Sequence, residues 1–299
     1  MELVATLITN PTRKDLTGGK ADDVRTCIKK EGWSADKVVW LDKDVACDIR
    51  FSGPSPAEAR KVLKDNLAVA DFDLVVQQQE NRRKKLLLAD MDSTIVVGET
   101  LDELADKAGI KEKVAEITAR AMRGELDFRA ALFERVGMLK NLPVDRLEQT
   151  LTGIALTPGA RILVQTMRAN GAFTVLVSGG FRFFTRHVAA TAGFHAEHAN
   201  ELIVEDNKLT GSVAEPVLDK QSKLDLLNRY VSERQLPMDA TLTTGDGAND
   251  LPMLQEAGLG VAYHAKPIVD AQAPAAIRHG DLTALLYLQG YKVSEFVTD

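Results

Sequence analysis

The sequence predicts an α/β protein whose parallel sheet carries its functional groups at the carboxyl ends of its strands, preceded by a smaller α+β unit of order βαββαβ. Three observations predict this. Short apolar runs alternate with helical stretches along most of the 299 residues. Three of those runs, Leu86-Leu87-Leu88-Ala89, Phe173-Thr174-Val175-Leu176-Val177 and Ala240-Thr241-Leu242-Thr243-Thr244, each end in a cluster of Asp, Ser or Gly. One charged helical segment, about residues 96–153, interrupts the alternation after the first of them.

From residue 1 to about 80, the apolar runs Leu3–Ile8, Val38–Leu41 and Phe72–Val76 alternate with helical stretches near 20–31 and 55–67, which gives the βαββαβ order. The polar stretch Gln77 to Lys85 then reads as a linker whose four basic residues are solvated. The second unit, 81–299, starts with the Leu86–Ala89 strand. In the insert, Leu101, Leu104, Ala105 and Ala108, and later Phe128, Ala131, Leu132 and Arg135, recur at helical spacing. An insert hung on the loop after the first core strand can cover a site as a lid.

Composition narrows the function classes. A net charge of −6 offers no basic stripe for nucleic acid, no apolar stretch reaches the length of a membrane span, and the N-terminus lacks signal-peptide order. A cytoplasmic protein is expected. Cys27 and Cys47 have neither metal-ligand nor redox spacing. His195 and His198 lie three apart without a third ligand nearby, and His187, His264 and His279 are isolated, so structural roles are expected for all five.

Chemistry concentrates at the three strand ends, where open α/β sheets bind ligands. Asp90-Met91-Asp92-Ser93-Thr94 follows the first strand. A carboxylate there can act as nucleophile, a second one two residues on as acid and base, and the pair can hold a hard cation. A calcium loop is excluded, because its sixth position, Ile95, should be Gly and its twelfth, Leu101, should be Glu. Ser178-Gly179-Gly180 ends the second strand before another helix, and suits a phosphate by its hydroxyl, its glycines and the helix N-terminus. A plain glycine turn with Ser178 as helix cap would look the same. Gly245-Asp246-Gly247-Ala248-Asn249-Asp250 ends the third strand. There Asp246 could join Asp90 and the Asp92 carbonyl around Mg²⁺, with Asp250 orienting the ion's waters and Asn249. The helix from Asp219 to Tyr230 carries Lys220 and Lys223, and spacing does not choose between them.

In order and spacing these segments resemble the haloacid dehalogenase superfamily over about residues 84–290. Glu99, Met122-Arg123-Gly124, Asp127-Phe128, Arg135, Leu156-Thr157-Pro158-Gly159 and Val177–Phe181 narrow the resemblance to its phosphoserine phosphatase family. The resemblance implies a Rossmann-like core with a helical cap, Mg²⁺ as cofactor, and phosphoserine as substrate. Asp90 would attack phosphorus, and Lys223 with Mg²⁺ would neutralise the phosphoryl oxygens. Ser178 and the Gly179 N–H would bind those oxygens, and Asp92 would shuttle the proton. Glu99 would pair with the substrate ammonium and Arg135 with its carboxylate, while Met122 and Phe128 close over the site. The order βαββαβ also resembles the ACT type of regulatory module, which leaves amino-acid sensing, homodimer formation, inhibition by L-serine and a purely structural role all open for residues 1–80. Two further readings stand beside the main one: a sibling phosphatase or phosphotransferase acting on phosphothreonine or phosphohomoserine, and a nonenzymatic amino-acid sensor.

Overall fold

The structure, a computed structural model, describes residues 1–67, 71–122 and 125–298, without the side chain of Met122. The first six elements are β1 (Glu2–Ile8), α1 (Gly18–Lys30), β2 (Val39–Asp42), β3 (Ala46–Ser52), α2 (Pro56–Asn66) and β4 (Asp73–Gln78). They form an antiparallel sheet of order β2-β3-β1-β4. Leu3, Ala5 and Leu7 on one face of β1 pack with Val24, Ile28 and Leu63 of α1 and α2. Ile8, on the opposite face, joins the core of the rest of the chain. Because both faces are covered, β1 is a continuous apolar run rather than an alternating one.

The remainder begins with β5 (Leu86–Asp90) and continues through α3 (Thr100–Lys107), α4 (Lys111–Met122), α5 (Phe128–Gly137), α6 (Asp145–Leu151) and α7 (Ala160–Ala169). Then come β6 (Phe173–Phe181), α8 (Arg182–Ala192), β7 (Ala196–Asn200), β8 (Leu202–Glu205), β9 (Lys208–Val213) and α9 (Lys220–Glu233). The chain closes with β10 (Thr241–Gly245), α10 (Leu251–Glu256), β11 (Leu259–Tyr263), α11 (Pro267–Gln272), β12 (Ala275–Ile277) and α12 (Ala284–Leu288). Six strands form a parallel sheet of order β12-β11-β10-β5-β6-β7, which bears out the α/β fold class. All five residues of β5 are buried, as expected of a central strand covered on both faces. Its neighbours are β10 and β6, so the three motif-bearing strand ends stand side by side.

Helices α3 to α6 all lie in the insert. Its two ends are tied together: Val97 N donates to the Ala155 carbonyl (3.0 Å) and Thr157 N to that of Ile95 (2.9 Å). The sequence reading did not anticipate the hairpin β8–β9. Its turn residues Asp206 and Asn207 both have positive φ (48° and 60°), the geometry of a tight two-residue turn between right-twisted strands. The hairpin braces the insert, with Asn141 N donating to Leu209 O (2.8 Å) and Leu209 N to Leu142 O (2.9 Å).

The expectation that residues 77–85 form a linker with solvated basic residues is corrected in part: Arg83 and Lys85 are exposed, but Arg82 and Lys84 are not solvated charges. Gln77 and Gln78 end β4, and Lys84 is buried with its ammonium on the Asp239 carbonyl (2.6 Å). Arg82 is largely shielded from solvent and grips Asp48 bidentately at 2.7 and 3.1 Å, while its Nε donates to Leu288 O at 3.1 Å. Composition misread Arg82 because its partner lies on a strand 34 residues away. Asp73 adds a second tie, its carboxylate accepting from the N–H groups of Arg278 (2.8 Å), His279 (3.1 Å) and Gly280 (2.9 Å). Both cysteines are buried and unbonded to each other. His195, His198 and His264 bond to Thr174, Tyr230 and the Gly280 carbonyl respectively. No helix among the described residues is long and apolar enough to cross a membrane.

Candidate active site

Register brings the first two motifs level, since Asp90 at the end of β5 pairs with Val177 and Ser178 is the next residue of β6. On the other side, Thr244 pairs with Ala89, which sets Gly245 beside Asp90 and carries Asp246 just past the sheet. Beyond Asp90 the chain turns tightly through Met91–Ile95, with Ser93 at φ 54° and Val96 N bonded to Met91 O (3.0 Å). That turn directs Asp92 away from Asp90. The Asp92 carboxylate accepts from Thr100 N at the start of α3 (2.8 Å) and from the Ser178 hydroxyl (3.1 Å). Ser178 therefore does not cap a helix: α8 starts at Arg182, and Ser178 Oγ accepts from Gly180 N (2.8 Å). A side chain at Gly180 would place its Cβ 3.0 Å from Ser178 Oγ and 3.1 Å from Asp92 Oδ2, so these groups would have to shift to admit one.

The third motif completes a buried acidic cluster. Carboxylate oxygens of Asp90, Asp246 and Asp250 lie within 4.8 Å of one another. Lys223, projecting from α9, donates to Asp90 Oδ1 and to Asp250 Oδ1, both at 2.6 Å. Structure thus makes the choice between Lys220 and Lys223 that spacing left open. Asp250 also holds its own turn, Oδ2 accepting from Gly247 N at 3.0 Å. Among the described residues the Asp250 carboxylate is bonded to Lys223 and to its own turn rather than to Asn249, and it belongs to the acidic cluster itself. Asn249 instead lines the cleft.

Burial raises the pKa of Asp90 well above the usual carboxylate value, reinforced by Asp250 and opposed by Lys223. Burial likewise raises Asp92, against the hydrogen bonds from Thr100 and Ser178, and raises Asp246, against the charge of Lys266. For Lys223 burial acts downward, but Asp250 and Asp90 prevail and its pKa is raised. Three clustered acids against one buried ammonium leave negative charge uncompensated. An all-oxygen donor set of that charge fits a hard divalent cation.

The insert roofs this floor, leaving a cavity of about 440 Å³. Phe128, half-exposed, lies against Gly179, with ring atoms 3.4 Å from where a Cβ on that glycine would stand. Arg135 lines the cavity from α5, its Nε donating to Ala131 O (3.1 Å). Glu99 stands at the mouth and accepts from the Ser93 hydroxyl (2.8 Å). Its surface is solvent-accessible, yet crowding by neighbouring atoms and the nearby Asp92 push its pKa up to about 7. Met122 closes α4, and the role expected of its side chain lies outside the described residues, as do Arg123 and Gly124.

Two residues of the site escaped sequence reasoning. Buried Asn200 donates to the Gly179 carbonyl (2.8 Å) and accepts from Leu218 N (2.7 Å), fixing the glycine pair from the side. Lys266 lines the cleft with its ammonium 3.9 Å from Asp246. The dipeptide Lys266-Pro267 at a helix start, after the apolar run Leu259–Tyr263, was an available signal of another strand-end loop.

Comparison with known proteins agrees with this geometry. Residues 87–255 match the family model described as haloacid dehalogenase-like hydrolase. The chain belongs to that family of enzymes. It is 36% identical to a phosphoserine phosphatase of Streptomyces coelicolor over 92% of this chain and 68% of the relative. Among solved structures, a probable phosphoserine phosphatase from Vibrio cholerae superposes with a TM-score of 0.77 at 30% identity, covering 98% of this chain and 88% of that one. A phospho-aspartyl intermediate analogue of a phosphoserine phosphatase matches at TM-score 0.64 and 39% identity, over 69% of this chain and 98% of the other.

Proposed function

We propose that the chain is a Mg²⁺-dependent phosphatase that hydrolyses O-phospho-L-serine to L-serine and phosphate through an aspartyl-phosphate on Asp90, the last step of serine biosynthesis. One observation carries the reading: Asp90 sits between a buried ammonium and an acidic cluster on one side and the Ser178–Asp92 pair on the other. The roof above them offers a carboxylate, Glu99, and a guanidinium, Arg135, two charges suited to a zwitterionic amino acid. The relatives' activity on phosphoserine and the phospho-aspartyl analogue support the same chemistry.

Asp90, Asp246 and the Asp92 carbonyl would hold Mg²⁺, with Asp250 beside them, and the ion supplies positive charge against the phosphoryl oxygens. Lys223 holds the Asp90 carboxylate in place as it forms a bond to phosphorus and the bond to the serine oxygen breaks. Ser178 and the Gly179 N–H bind the transferred oxygens. Asp92, whose pKa is raised by burial, would give its proton to the departing serine oxygen. Its carboxylate then takes a proton from the water that attacks phosphorus, phosphate departs, and Asp90 and protonated Asp92 are restored. L-serine retains the ammonium and carboxylate and would inhibit by occupying Glu99 and Arg135.

Residues 1–80 as an ACT-like unit, 81–299 as the phosphatase unit and a cap at about 96–153 belong to the same proposal, and the two separate sheets support the division. Comparing kcat/KM for phosphoserine, phosphothreonine and phosphohomoserine tests the substrate. Phosphoserine should be preferred, by about ten-fold or more over a substrate with one extra methyl or methylene. A higher kcat/KM for either homologue would transfer the assignment to it.

A further inference from the structure

Away from the cleft, three cations meet where α2 and β4 abut α11 and β12. Arg60 and Lys64, one turn apart on α2, and Arg278, just after β12, line a small notch of about 120 Å³. Among the described residues Asp270 is the one carboxylate lining it, and it pairs with Arg278 at 2.7 Å. Nearby Asp73 is consumed by three backbone N–H groups. Among the described residues no ion pair includes Arg60 or Lys64; Arg60 donates only to the Pro274 carbonyl. Three positive charges against the carboxylates of Asp270 and nearby Asp73 leave the notch with a net positive charge. Burial, then Arg278, lowers the Arg60 pKa; for Lys64, burial with Arg278 and Arg60 acts downward and prevails over Asp270 and Asp73.

We propose that this notch binds a small divalent oxyanion of the phosphate class, held by Arg60, Lys64 and Arg278. Guanidinium groups fit tetrahedral oxyanions through paired N–H donors, and an ammonium adds a third, rotatable donor set. The bound anion would bridge α2 to the edge of the parallel sheet, tightening the N-terminal unit on the core. This site is separate from the catalytic cleft, and the inference stands whether or not the proposed reaction does.

Inorganic phosphate titrated calorimetrically into the full chain is the test. Two ions per chain are expected, one in the cleft and one in the notch. Ser178→Ala should weaken the cleft ion and leave the other; Arg60→Gln with Lys64→Gln should weaken the notch ion by about ten-fold or more, as loss of charged hydrogen bonds predicts. Lys64→Arg, which keeps the charge, should retain it. A single phosphate per chain, abolished by Ser178→Ala and untouched by Arg60→Gln with Lys64→Gln, overturns the proposal. Should the double variant fail to fold, crystals of the unaltered protein soaked in tungstate replace it: density among the three cations supports the site, and density confined to the cleft refutes it. Competition separates the two sources of the anion. With Mg²⁺ chelated so that phosphoserine is not turned over, displacement of the notch phosphate by phosphoserine assigns the site to phosphomonoesters, and its persistence to free phosphate.

Discussion

Replacing Lys223 by Met removes the ammonium while nearly preserving side-chain volume. Lys223 is 1% exposed and lies 2.6 Å from both Asp90 and Asp250, so the variant would bury two carboxylates facing one another with no counter-charge. Breaking a buried ion pair from one side costs about 3–5 kcal/mol. For a chain of this size that corresponds to a fall in Tm on the order of 10 °C. The loss should depend on pH. Asp90 already has a folded-state pKa raised above its unfolded value, first by burial, and the substitution raises it further. The native state then holds a proton that the unfolded state releases, so stability falls as pH rises through the region above the unfolded carboxylate pKa. In chelator, the deficit of Lys223→Met should therefore be larger at pH 8 than at pH 5, and Mg²⁺ should recover part of it by binding the native acids. Thermal melts at the two pH values, with and without Mg²⁺, measure all three effects. Stability equal to that of the parent at pH 8 in chelator would refute the account of Lys223 as the charge that makes the acidic cluster tolerable.

Two further predictions address the roof. Arg135→Ala should lower kcat/KM for phosphoserine by about 10–100-fold, the value of one or two charged hydrogen bonds, while turnover of a generic aryl phosphate changes little; equal losses on both substrates would remove its assignment to the substrate carboxylate. Glu99 has a pKa near 7, raised by crowding and by Asp92, so it loses its charge as pH falls through neutrality. Phosphoserine kcat/KM should accordingly drop on the acidic side of pH 7 and the drop should disappear in Glu99→Gln, whose overall kcat/KM is lower; an unchanged acidic limb in that variant would exclude Glu99 as the ammonium partner.

Much of the site was legible because its groups sit at strand ends, where local sequence announces them. Asp90-Met91-Asp92, Ser178-Gly179-Gly180 and Gly245-Asp246 each follow a buried strand, and the order β10-β5-β6 makes them neighbours. Asn200 was not legible, because an asparagine at the end of a half-buried strand acquires its task only when the Gly179 carbonyl and Leu218 N–H are brought to it. Arg82 and Lys84 read as solvated for the same reason, since their partners Asp48 and the Asp239 carbonyl are remote in sequence. The hairpin β8–β9 is not legible although Asp206-Asn207 carries a turn signal, because its strands are only four and six residues long and β8 is largely exposed. For Asp250 the turn residues announce its location, whereas its bond to Lys223 is not legible locally, because that lysine arrives from a helix 27 residues earlier.

The proposed mechanism requires Asp90 to form a covalent bond to the phosphoryl group of phosphoserine beside a divalent ion. Phosphate release from O-phospho-L-serine by the unaltered protein and by Asp90→Asn, each with Mg²⁺ and after chelation, tests it most directly. Rapid release is predicted only for the unaltered protein with Mg²⁺. Undiminished release by Asp90→Asn, or by the unaltered protein after exhaustive chelation, would contradict it.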